Sequence, residues 1–175
     1  MIVSRRWNSS SPPSLVLDEP IPNAEMTLYV DGSRLQKPEG GFAAGFTIAD
    51  DTSVLYSETL DPGVNSGQST KLIALIKACE LAEGKTVNIY TDSCYVYRNV
   101  YDLGFLWEHR SFMTSFGKVV KHADLIQDLL EKVKLPKAIA VIKWQAHQQA
   151  DVAARQAALL LLQESSKDTE CQWIL

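Results

Sequence analysis

Disulfide-forming potential is low in this 175-residue chain. It has three cysteines, Cys79, Cys94 and Cys171, an odd number with no Cys-x-x-Cys pair. Reduced thiols in an intracellular protein are the expectation. His109 and His122 have no partners at metal-ligand spacing. Long apolar runs are lacking as well. The longest apolar cluster, 157–162, falls far short of the roughly 20 residues that cross a bilayer, so no membrane partner is expected. No apolar core follows Arg5 and Arg6, and no secretory signal is expected. Basic excess is missing too: 17 Lys and Arg stand against 21 Asp and Glu, a net charge of −4. That balance argues against strong nonspecific binding to phosphate backbones, while leaving room for a local basic patch.

What is present is ordinary for a folded domain: 46% hydrophobic and 22% charged residues. The length suits one domain with tails. Residues 1–25 are rich in Ser, Pro and Asn and read as a linker or arm. The domain is expected over 26–163 and a polar tail over 164–175. Alternation predicts strands at 26–31, 40–49 and 54–60. A helix is predicted over 68–83, stopped by Gly84. A short buried strand at 87–91 and a helix from 93 to about 101 follow. Then come an amphipathic helix at 124–134 ended by Pro136, a strand at 138–144 and a helix at 151–163. A meander followed by alternating helices and strands implies an α/β fold with a mixed sheet covered by helices.

Three aspartates fall at element ends. Asp31 closes Tyr29-Val30-Asp31-Gly32-Ser33, Asp92 closes Tyr90-Thr91-Asp92-Ser93, and Asp151 opens Ala150-Asp151-Val152-Ala153-Ala154-Arg155. Strand-end acids near a switch point are natural ligand positions in α/β sheets. Each alone has a plainer reading: a turn residue, or for Asp151 a helix-dipole partner that pairs with Arg155. Three together in this element order are harder to explain as turns.

These segments resemble the ribonuclease H domain of retroviral reverse transcriptases, in its gammaretrovirus-like branch. Besides the aspartate motifs, Gln68-Ser69-Thr70-Lys71-Leu72 resembles the family helix that begins Gln-x-x-Glu-Leu. Val87-Asn88-Ile89-Tyr90-Thr91-Asp92-Ser93 resembles the third motif, and Leu17-Asp18-Glu19-Pro20-Ile21-Pro22 the segment that joins the polymerase to this domain. The resemblance spans about 17–160. It implies a ribonuclease H-like fold, a five-stranded mixed sheet flanked by helices. It also implies four acids holding two Mg²⁺ ions that activate water and stabilise the leaving oxygen.

Two departures stand out. Lys71 occupies the glutamate position, and an ammonium among aspartates relieves their mutual repulsion and opposes cations. The alternative is a lysine that snorkels to solvent. Second, Trp144-Gln145-Ala146-His147 resembles the family's histidine loop, but Asp151 follows His147 after three residues, so that loop looks shortened. The site positions carried over are therefore Asp31, Lys71, Asp92, Asp151 and His147. Metal, if bound at all, would be Mg²⁺ or Mn²⁺ on Asp31, Asp92 and Asp151, and no cofactor is the expectation. Gln68 and Tyr95 match positions that grip the hybrid. Arg110 and Lys118 belong to 102–122, which resembles a basic protrusion that has lost much of its charge while keeping Phe105, Trp107 and Phe112.

The expectation is a retroelement-derived, host-captured module that does not cleave and serves a structural or interaction role. Its partners would be a protein or neighbouring domains, or weakly bound RNA/DNA hybrid. The alternatives are an active metal-dependent hybrid nuclease and a non-cleaving nucleic-acid-binding module.

Overall fold

A computed structural model describes residues 16–63, 65–103, 110–114 and 116–143. The expected final helix at 151–163, with Asp151, and the segment holding His147 lie outside the described residues.

The fold is the ribonuclease H fold, with one mixed sheet and helices packed on it. The strands are β1 (Val16–Leu17), β2 (Met26–Gln36), β3 (Phe42–Ala49), β4 (Val54–Leu60), β5 (Thr86–Thr91) and β6 (Ala138–Lys143). The helices are α1 (Gly67–Leu81), α2 (Cys94–Arg98), which passes into a π-helical turn at Asn99–Leu103, and α3 (Ala123–Lys132). In space the strands run β1-β6-β5-β2-β3-β4. Pairing is parallel from β1 to β2 and antiparallel from β2 to β4.

Among the described residues the sheet has six strands, where five were expected. The additional one is β1, from the stretch read as arm: Val16 pairs with Ile139 and Leu17 with Ala140. Two residues carry no alternation to read, so the sequence gives no strand signal there. Side-chain bonds tie the connecting segment down. The Asn88 amide takes the Ile21 N–H at 2.7 Å and gives to the Ile21 carbonyl at 3.0 Å. Glu25 and Thr86 exchange two further bonds of 2.9 Å. The Tyr101 hydroxyl closes this edge. It lies between the carbonyls of Leu17 and Val141, 2.7 Å from the latter, and accepts the Val141 N–H at 3.3 Å. Burial raises the pKa of Tyr101, so it remains a neutral donor.

The strand β2 also continues past the predicted stop at Asp31. Its parallel ladder with β5 ends at Val30↔Thr91, but its antiparallel ladder with β3 runs on to Gln36↔Phe42. Asp31-Gly32 reads as a turn, yet Gly32 has no positive φ and stays within the strand.

The core sits between sheet and helices, built from Leu28, Val30, Phe46, Ile48, Leu72, Leu75, Val87, Ile89, Ile126, Leu129, Ile139 and Val141. Both β5 and β6 are buried over three consecutive residues, Val87 to Ile89 and Ile139 to Val141, because helices and sheet neighbours cover them. Helix α1 is central and packs on β2, β3 and α3. It begins at Ser66, whose hydroxyl accepts the Ser69 N–H at 3.2 Å, and it is followed by Gly84 at φ 73°. Helix α3 buries Ile126 and Leu129, with Asp124 in its first turn and Lys132 in its last, matched to the helix dipole. Lys132 also bridges to Glu80 of α1 at 3.1 Å.

Removing the Tyr101 hydroxyl isolates its contribution. Tyr101→Phe is expected to cost about 1 kcal/mol. It should speed hydrogen exchange at Val16 and Leu17 while the β2–β5 ladder keeps its protection.

Candidate active site

The positions of Asp31 and Asp92 follow from one register. Val30 and Thr91 are the last paired residues of the β2–β5 ladder. Asp31 and Asp92 come next on each chain, so two carboxylates emerge from adjacent strands at the carboxyl end of the parallel half. Adjacent strands lie about 4.8 Å apart. The Asp92 backbone is fixed on both sides. The Ser93 N–H donates to the Thr91 hydroxyl at 3.2 Å, and the Ser93 hydroxyl caps α2 by accepting the Val96 N–H at 3.2 Å. Thr91 and Ser93 are buried, while Asp92 is half-buried.

Helix α1 brings in the third group. A Cβ on Gly32 would lie 2.8 Å from the backbone C and O of Thr70 and 2.9 Å from the Lys71 nitrogen. Real Cβ atoms do not approach backbone so closely, so only glycine lets the first turns of α1 press onto β2 here. The result is that Lys71 reaches over the strand ends. Its Nζ lies 3.1 Å from Asp92 Oδ1 and 3.7 Å from Asp31 Oδ1. All three side chains are partly shielded, at 27% exposure for Lys71, 28% for Asp31 and 20% for Asp92. The lysine therefore turns inward onto the acids rather than outward to solvent.

A lysine ammonium has three donors and no lone pair. It can hold carboxylates together, but it cannot ligate a metal. Among the described residues, no three His, Cys, Asp or Glu side chains form a metal-binding group. Asp31 and Asp92 with an ammonium bonded to them are a poor fit to a pair of divalent ions, which need bridging and flanking carboxylates.

The substrate-gripping candidates are spread around this centre. Gln68, at the start of α1, is exposed. Tyr95, in α2, is half-buried, and burial raises its pKa. Its ring meets His122 edge-on, with centroids 6.2 Å apart. His122 ends the stretch 102–122, and its spacing in the sequence offers it no metal-ligand partner. It begins α3 at φ 59°, with Nε2 3.4 Å from the Ser66 hydroxyl. It thus joins the starts of α1 and α3 to Tyr95, and the αL backbone that places it leaves no signature in the sequence. Lys118 is exposed on a short hairpin closed by the bridge Met113↔Val119, and Arg110 is exposed in the turn before it. This hairpin also exposes Phe116 at 89% and Val119 at 69%. Cys94 is exposed and Cys79 buried.

Comparison with known proteins bears on the family and the fold. The family model for RNase H matches residues 23–164. The chain belongs to the RNase H family. Its relatives include viral Pol and Gag-Pol polyproteins. It is 41% identical over 157 residues to the Gag-Pol polyprotein of Walleye dermal sarcoma virus, and 37% identical over 153 residues to the Pol polyprotein of Radiation murine leukemia virus (strain Kaplan). These alignments cover 82% and 81% of the chain but only 9% and 26% of the polyproteins. Among solved structures, it resembles a foamy viral protease-reverse transcriptase in complex with dsDNA. The TM-score is 0.65 at 24% identity, covering 81% of this chain and 96% of that one. The solution structure of the PFV RNase H domain gives a TM-score of 0.59 at 23% identity, covering 78% and 96%.

Two outcomes are expected. Gly32→Ala forces α1 away from β2 and should lower stability by about 1–3 kcal/mol in denaturant unfolding. Burial first, and then Lys121, hold His122 below the ordinary imidazole value of 6.5. The unfolded chain then takes up this proton at higher pH than the folded one. The contribution is present above the unfolded value and is lost as pH falls toward the folded one. His122→Gln should flatten the fall in melting temperature between about pH 7 and 5.

Proposed function

We propose that this chain is a retroelement-derived RNase H module, captured by a host genome, that does not cleave nucleic acid and works inside the cell as a structural or interaction domain of a larger protein. The Lys71 ammonium, 3.1 Å from Asp92 and 3.7 Å from Asp31, carries this reading. Hybrid cleavage in this fold draws on divalent metals held by acids. Here the helix that should supply an acid supplies a cation. The small share of each polyprotein that the chain spans is consistent with a module inside a longer chain.

A second reading is a non-cleaving nucleic-acid-binding module. The stretch 110–122 holds Arg110, Lys118, Lys121 and His122 and no Asp or Glu, within a chain of net charge −4. One solved relative is a foamy viral protease-reverse transcriptase in complex with an RNA/DNA hybrid. Salt-dependent preference for hybrid over other duplexes, weakened by Arg110→Ala with Lys118→Ala, would favour this reading.

The deciding experiment is cleavage of a labelled RNA/DNA hybrid in Mg²⁺ and in Mn²⁺. The parent chain is expected to give no more product than Asp92→Asn. Parent cleavage that disappears in Asp92→Asn would overturn the proposal and show that the aspartates suffice without the glutamate.

A further inference from the structure

The acids and the lysine are held by three independent features. The shared ladder end at Val30↔Thr91 sets Asp31 beside Asp92. The Ser93 cap and the Thr91 hydroxyl fix the Asp92 backbone. The Cβ-free surface of Gly32 sets the depth of α1, and with it the reach of Lys71. Two carboxylates this close repel each other unless a cation lies beside them. Lys71 Nζ is bonded to one and ion-paired with the other, at 3.1 and 3.7 Å, with both acids partly shielded from water.

We propose that the Lys71 ammonium is the resident cation of this site, doing for Asp31 and Asp92 the charge compensation that a divalent ion would otherwise do. The parent chain then has no use for Mg²⁺ or Mn²⁺ at this position, and the site is closed to them. Among the described residues it is Lys71 that closes it, and the backbone that places the two acids is intact. Replacing Lys71 by a carboxylate removes the tethered cation and adds a ligand, which opens a divalent-metal site. The inference rests on the proposed loss of cleavage, but its readout is metal binding rather than turnover. A parent that is inert on hybrid yet binds Mn²⁺ would sink the inference and leave the non-cleaving reading standing. A parent that cleaves would sink that reading itself.

The test is thermal unfolding of the full 175-residue chain with and without MnCl₂, at matched ionic strength in NaCl. The parent, Lys71→Glu, Lys71→Gln and the double variant Lys71→Glu/Asp92→Asn are compared. The parent melting temperature is expected to stay unmoved by Mn²⁺. Lys71→Glu is expected to melt lower than the parent without metal and to rise by about 3 °C or more at tenfold excess over its dissociation constant. Asp92→Asn in that background is expected to abolish the rise. A parent that gains as much from Mn²⁺ as Lys71→Glu overturns the proposal. If Lys71→Glu folds only with metal, the proposal is supported. If it does not fold at all, Lys71→Gln decides: a larger Mn²⁺ response than the parent's supports the proposal, and an equal response overturns it.

Discussion

The absence of a side chain at Gly32 is the constraint on which the site depends. A central helix normally stands off a sheet by the thickness of two side-chain layers. Here the backbone of α1 at Thr70 and Lys71 comes down on β2 as closely as a bare Cα permits. That contact fixes the height of α1 over the strand ends. It therefore decides which residue of the helix can reach Asp31 and Asp92. The helix is nearly apolar along its buried face, with Leu72, Ala74, Leu75, Ile76, Ala78 and Cys79 packed against strands and α3. Its position is enforced along its whole length, which keeps the backbone of Lys71 beside the acids.

Geometry and charge act at different levels here. The fold supplies placement: parallel ladder, strand ends and helix depth are all intact. Lys71 puts a positive charge into that placement. This separation lets the architecture persist whatever charge stands at position 71. Packing of Leu72 and Leu75 selects for the helix whatever the charge at its neighbour, and an ion pair with two aspartates is at least as easy for the folded state to tolerate as an uncompensated carboxylate cluster.

Much of this was legible in the sequence. The alternation of β2 to β4, the long apolar helix α1 and the buried runs of β5 and β6 each carry a period that burial imposes. Asp31, Lys71 and Asp92 could be placed together because the motifs around them resemble those of the RNase H family. Other elements left less trace. The two residues of β1 are too short to show a period, and their partner lies at the far end of the domain. Asp31-Gly32 carries the composition of a turn, but the glycine serves a close helix contact rather than a positive φ, so β2 runs on where a stop was expected. The helix after Asp92 shortens to Cys94–Arg98 and widens into a π-helical turn, which places Tyr101 under the sheet edge. His122 owes its role to an αL backbone at the start of α3. These are tertiary facts, and local composition does not encode them.

The edge at β1 has a consequence for how the chain is made. Tyr101 and Leu17 are 84 residues apart in sequence, and β1 pairs with β6 at Ile139 and Ala140. The antiparallel β2–β4 meander has only local pairings and can form as soon as it leaves the ribosome. The sheet cannot close on its parallel side until β6 has been synthesised, because β6 is the only strand that β1 and β5 share. Long-range parallel pairing is slow, since loop closure precedes any gain from contact. Until then the chain presents the apolar edge of β5 unpaired. Early in its life the molecule is thus a four-stranded sheet, β5-β2-β3-β4, with an open seam at β5 that waits for β6.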